Sequence, residues 1–179
     1  MAKILKLQVK QEADEHSDGA DYLGTYSDTW APGAVNREKA LGYRFWTGRE
    51  FRFWHWAREG DDDGFAFLRA RGWSKQAARE EVARYKAADF RRMEDLQNGG
   101  WFFVGVWAEA EVVAGEGGGV VQHLRSGGLW GVESDAGAYL ADVGREELAG
   151  LREELDAFGV RVQEEDWAAL AEGAIERAA

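Results

Sequence analysis

The chain is expected to be α+β, one domain over 1–179, with a mainly antiparallel sheet and helices packed on one face. Three observations lead there. The 179 residues and 45% apolar content suffice for a core without covalent staples. Strand-like alternation marks 3–9 and 43–56 and recurs at 101–132, and from 137 onward the apolar period becomes helical.

Residues 3–9, KILKLQV, alternate as a first strand, and 12–36 read as a polar loop holding the sole proline, Pro32. YRFW (43–46) and FRFWHW (51–56) flank Thr47-Gly48-Arg49-Glu50 as a hairpin. Residues 59–64 break that pattern. Ser74 is set to cap a helix with its apolar stripe on Ala78, Val82, Tyr85, Ala88, Met93 and Leu96, stopped by Asn98-Gly99-Gly100. WFFVGVWAEAEVV (101–113) and VVQHLRSGGLWGV (120–132) form an antiparallel hairpin across Gly115–Gly119 at the sheet's centre. A helix over about 137–158 buries Leu140, Val143, Leu148, Leu151, Leu155 and Phe158, and a last helix from about 164 uses Trp167, Leu170, Ala171, Ala174 and Ile175.

The charge is divided unevenly. Residues 1–100 hold 17 acids and 17 bases; 101–179 hold 16 and 5, so the second part carries the whole net charge of −11. Such a field repels nucleic acid and membrane phosphates and attracts basic protein surfaces within about 8–10 Å. The lack of cysteine excludes disulfides and thiolate metal sites and fits a reducing compartment. With no secretory leader at the first residues and no apolar run near ~20 residues, a soluble cytoplasmic protein is expected.

The candidate chemistry is sparse. His16, His55 and His123 are dispersed, without metalloprotease or nucleophile-elbow spacing. The run 59–64 imitates a calcium loop, but Ala70 stands at its twelfth position. No catalytic residue, metal or cofactor is assigned. Glu133 and Asp135 sit where a strand meets a helix, a place suited to a small carboxylate-dependent enzyme, although Ser134 or Asp135 capping the helix is the simpler reading. Arg44, Trp46, Arg52, Trp54 and Trp56 share one face of the 43–56 hairpin and form a candidate nucleic-acid surface, against which stand sheet packing and the neutrality of that half.

The helix after residue 137 supplies the strongest candidate. With ~100° per residue from Leu140, the apolar positions fall between about 300° and 80°, and Asp142, Glu146, Glu153 and Asp156 between about 160° and 240°. Glu147 and Glu154 flank the seam; Arg145 and Arg152 occupy one shoulder. Such a ridge faces water, which suits partner binding better than acid–base chemistry. The ordinary alternative is a solvated face that maintains solubility.

Finally, DYLGTYSD (21–28), RRMEDLQNGGWFFVGVWAEAEVV (91–113) and SGGLWGVESDAGAYLADVGREELAGLREEL (126–155) resemble a family of short uncharacterised proteins of bacteriophages and other bacterial mobile elements. The family implies no reaction, cofactor or site residue. Its setting implies an accessory protein acting against host defence. The expectation is therefore a non-enzymatic, DNA-mimic-like inhibitor, of anti-CRISPR or anti-restriction type, that docks the acidic part (135–179) on a basic surface of a host nucleic-acid-processing complex. Direct nucleic-acid binding is the alternative, a carboxylate enzyme the third.

Overall fold

In this computed structural model the described residues are 3–17, 19–42, 51–58, 64–113, 121–160 and 164–178. The α+β class with antiparallel sheets is what the structure shows. Its contacts group into two compact units, Met1–Ser17 with Trp101–Ala179, and Asp18–Gly100.

The first unit is built on β5 (Phe103–Val113), whose β-branched and aromatic residues suit a strand covered on both faces. β1 (Lys3–Ala13) pairs antiparallel along one edge, from Lys3↔Val113 to Ala13↔Val104, with an irregularity between Ile4 and Lys6. The other edge takes β6 (Val121–Arg125) and then β7 (Leu129–Glu133), both antiparallel. The single strand expected over 120–132 is thus two. Ser126 makes the break, its backbone N–H donating to the Ala108 carbonyl at 3.0 Å and its buried hydroxyl accepting from the Ala108 N–H at 2.9 Å. Gly128, at φ 77°, then turns the chain into β7.

Even-numbered β5 residues Val104 to Val112, with Leu7 and Val9 of β1, face two helices. These are α4 (Ala138–Ala157) and α5 (Glu164–Glu176), following β7 in sequence. Val143, Leu148, Leu151 and Leu155 of α4 and Trp167 and Ala174 of α5 complete this core. The periodicity of 137–158 therefore identified both the helix and its buried stripe, except Phe158. That residue is 69% exposed, because it forms the C-cap as the chain leaves the sheet.

In the second unit, β4 (Phe53–Trp56) lies between β2 (Gly24–Ser27) and β3 (Val35–Asn36). Both partners, and a 3-10 turn at Gly19–Tyr22, fall within the segment expected to be a loop. Their brevity hides them, since strands of four and two residues show almost no alternation. The strand expected at 43–46 and its hairpin turn lie outside the described residues, as do 59–63 of the calcium-like run and the glycines at 115–119.

α1 (Arg37–Leu41) is capped by the Asn36 side chain, and α2 (Phe65–Ala70) had no sequence expectation. α3 (Lys75–Gln97) begins as expected, with the Ser74 hydroxyl accepting from the Ala77 N–H at 3.1 Å. The core of this unit joins Trp54, Trp56 and Phe90. Beneath α3 the buried Arg37 donates to both carboxylate oxygens of Glu94, at 2.5 and 2.8 Å, and to the Phe51 carbonyl at 2.7 Å. Tyr26 adds its hydroxyl to Glu94 at 3.1 Å. Among the described residues no helix is long and apolar enough to cross a membrane.

Candidate functional site

The amphipathic pattern of α4 decides which carboxylates can meet a partner. Burying Val143, Leu148, Leu151 and Leu155 on the sheet forces Asp142, Glu146, Glu153 and Asp156 outward, and these four are exposed, as is Glu154 at the edge of the apolar seam. At ~1.5 Å per residue the ridge from Asp142 to Asp156 runs about 21 Å, enough for several side chains of a facing protein. Arg145 donates to Asp142 at 2.6 Å across an exposed i,i+3 pair, so it offsets one charge at that end while adding only about 0.3–0.5 kcal/mol to the helix.

Glu147 has a different role from the edge contact expected of it. Its carboxylate turns inward and accepts the Gly128 N–H at 3.0 Å, satisfying the backbone where β6 gives way to β7. At this position, on the margin of the apolar sector, the side chain is half-buried. The Arg152 guanidinium lies 5.5 Å from the Trp167 ring centre, toward α5. The open part of the ridge is therefore Glu146, Glu153, Glu154 and Asp156.

The turn before α4 also departs from expectation. Its N-cap is Gly137 at φ 60°, with no side-chain cap bond. Ser134 instead extends the sheet beyond β7: its N–H donates to the Phe102 carbonyl at 2.8 Å and its hydroxyl accepts the Phe102 N–H at 3.0 Å. Asp135 lines a cleft of about 350 Å³ with Val9, Leu140 and Ile175, whereas Glu133 lines another of about 320 Å³ with Trp130 and Tyr139. The two carboxylates thus line different clefts.

The proposed arginine–tryptophan face is also altered. Trp54 is fully buried, its ring centre 5.3 Å from that of Phe90. Trp56 is buried too, with its indole N–H donating to Asp89 at 2.7 Å. Both rings are core and have no open face on which a base could stack. Arg52 is exposed and stands 3.8 Å from Glu38; Arg44 and Trp46 lie outside the described residues.

Two surfaces escaped the sequence reading. In the first unit, Trp130 is 43% exposed and lies nearly parallel to Trp107, with ring centres 6.0 Å apart and planes at 17°. Three glycines make room for it. A Cβ on Gly105 would come within 2.3 Å of the Trp130 ring, and Gly128 and Gly131 hold φ of 77° and 76° on either side of Leu129 and Trp130. Asp14 fixes the neighbouring loop, accepting the N–H of Gly131 at 3.1 Å and of His16 at 3.0 Å. The signal in the sequence is the spacing of glycine around tryptophan in GGLWG, a pattern that an ordinary strand also gives.

The second surface is the junction of α2 and α3. Residues 65–79 contain Arg69, Arg71, Lys75 and Arg79 and no acid. Those four are exposed together with Phe67 and Trp73, and the Arg71 guanidinium stands 4.3 Å from the Phe67 ring centre. Neutrality averaged over the first hundred residues concealed this local excess.

No known protein family, curated protein or solved structure matches the chain, so its functional reading rests on its own residues.

Proposed function

We propose that the protein is a non-enzymatic binding protein whose α4 ridge docks on a basic protein surface. The observation that carries this reading is the exposed row Glu146, Glu153, Glu154 and Asp156, within the part of the chain that holds the entire net charge. Carboxylates spaced by helical turns complement cationic surfaces, steering encounter and setting register more than adding raw affinity. The proposed target is the nucleic-acid-binding surface of a host defence or DNA-processing complex, with the ridge standing where phosphates would.

The test uses the chain and its Asp142→Lys/Glu146→Lys/Glu153→Lys variant as bait for bacterial lysates at low and high salt. Nucleases, restriction enzymes or CRISPR components retained by the first at low salt, lost at high salt and lost by the variant, are expected. The same proteins retained by both baits would overturn the proposal.

A second reading, direct nucleic-acid contact, is favoured by the acid-free α2–α3 junction with its exposed Trp73 and Phe67. It requires single-stranded DNA to quench tryptophan emission at low salt, and Trp73→Phe to remove most of the change. Unaltered emission would eliminate it.

A further inference from the structure

The clefts around Trp130, one of which reaches the first turn of α4, point to where such a partner is anchored. Trp130 lines three of them: one of about 340 Å³ with Glu12, Glu15 and His16, one of about 450 Å³ with Asp14 and His16, and one of about 320 Å³ with Glu133 and Tyr139. An open indole surface with carboxylates on both sides favours a cation, which the ring attracts through its quadrupole and the acids through charge. Arginine suits this arrangement best, because its planar guanidinium stacks on a ring while donating sideways to carboxylates.

The cleft also leads onto the ridge. Tyr139 is 54% exposed on the first turn of α4. At ~100° per residue it lies at about 260°, on the same side as Asp142 and Glu146, three and seven residues further along. An aromatic cleft and a carboxylate row therefore form one continuous strip of the first unit.

We propose that Trp130 and Tyr139 form the anchor of the docking surface, taking an arginine side chain of a basic protein partner while the α4 ridge steers its approach. This rests on the ridge reading above and assigns the two parts different tasks. Interface energy concentrates in a few aromatic and arginine contacts surrounded by near-neutral polar ones, so anchor changes should act on affinity and residence time, and ridge changes on salt dependence.

The experiment follows the Trp130 indole ¹⁵N–¹H signal during titration with a peptide of repeated Arg-Gly-Ser units, with citrulline in place of arginine as the uncharged control. A saturable shift with the arginine peptide alone is expected, with binding at least ~10-fold weaker for Trp130→Ala and for Tyr139→Ala. Tyr139 is exposed, so that variant keeps the test valid if Trp130→Ala fails to fold. The Asp142→Lys/Glu146→Lys/Glu153→Lys chain should bind with a flatter salt dependence and still reach the full Trp130 shift.

An unmoved Trp130 signal during peptide binding would overturn the anchor, as would undiminished affinity in both anchor variants. A shift produced by single-stranded DNA and not by the peptide would overturn the choice of a protein partner. If ridge reversal left affinity and salt dependence unchanged while Trp130 still responded, the ridge reading would fail and the cleft would stand. Loss of binding on ridge reversal, with both anchor variants unaffected, would decide the opposite way.

Discussion

Glu94→Ala provides a quantitative test of the second unit's core. Glu94 receives two guanidinium bonds from Arg37, at 2.5 and 2.8 Å, and one from the Tyr26 hydroxyl, and both charged side chains are buried, at 3% and 7% exposure. At an effective dielectric near 20, opposite charges 4 Å apart attract by about 4 kcal/mol. Much of that attraction offsets desolvation, but truncating one partner leaves the desolvation uncompensated. A loss of about 3–5 kcal/mol is therefore expected, most of it from stranding Arg37. For a chain of this length each kcal/mol lowers Tm by about 2–4 °C, giving a drop of roughly 6–20 °C. Urea titration followed by circular dichroism and by tryptophan emission reads both the loss and whether the two probes coincide. Replacing both partners together, Arg37→Met with Glu94→Leu, should recover most of the stability, because no buried charge remains. A loss below about 1 kcal/mol for Glu94→Ala, or a double variant as unstable as the single, would refute the reasoning.

Three further expectations follow from the same physics. Leu151→Ala empties a fully buried site between α4 and the sheet and should cost about 2–5 kcal/mol in a denaturant titration; a cost under 1 would mean that the site collapses freely. Ser74→Ala removes the α3 cap and should cost about 1 kcal/mol by the same measurement. The Lys10 ammonium, 2.7 Å from Glu109, holds that carboxyl below the usual carboxylate range, with His123 at 3.2 Å assisting and burial opposing. A depressed folded-state value means that this contribution is present above the ordinary carboxylate range and is lost as pH falls through the lowered value. Carboxyl ¹³C titration should show Glu109 ionising at a higher pH in Lys10→Met, with a smaller acid-linked loss of stability; an unmoved titration would contradict the assignment.

Long elements with strong periodicity were legible from the chain. α3 declared its start through Ser74, α4 its buried stripe through Val143, Leu148, Leu151 and Leu155, and β5 its central place through an almost unbroken apolar run. What stayed hidden depends on distant partners. β2 and β3 are strands only because β4 pairs with them, and the six residues of α2 are too few to reveal a helical period. Alternation placed Trp54 and Trp56 on one face without saying that α3 covers it. For the site, the outward ridge could be read directly, because an amphipathic helix with a known apolar face leaves its opposite side no other direction. The inward turn of Glu147 needed the position of Gly128, and the Trp130 cleft needed the approach of Gly105 from the neighbouring strand.

The central claim is that the α4 ridge meets a basic surface, and the slope of log Kd against log salt concentration tests it most directly. That slope is measured with a captured partner for the native chain and for Asp142→Lys/Glu146→Lys/Glu153→Lys. The account predicts a steep weakening with salt for the native chain and a nearly flat dependence for the variant, at lower affinity throughout. Equal slopes and equal affinities for the two chains would contradict it.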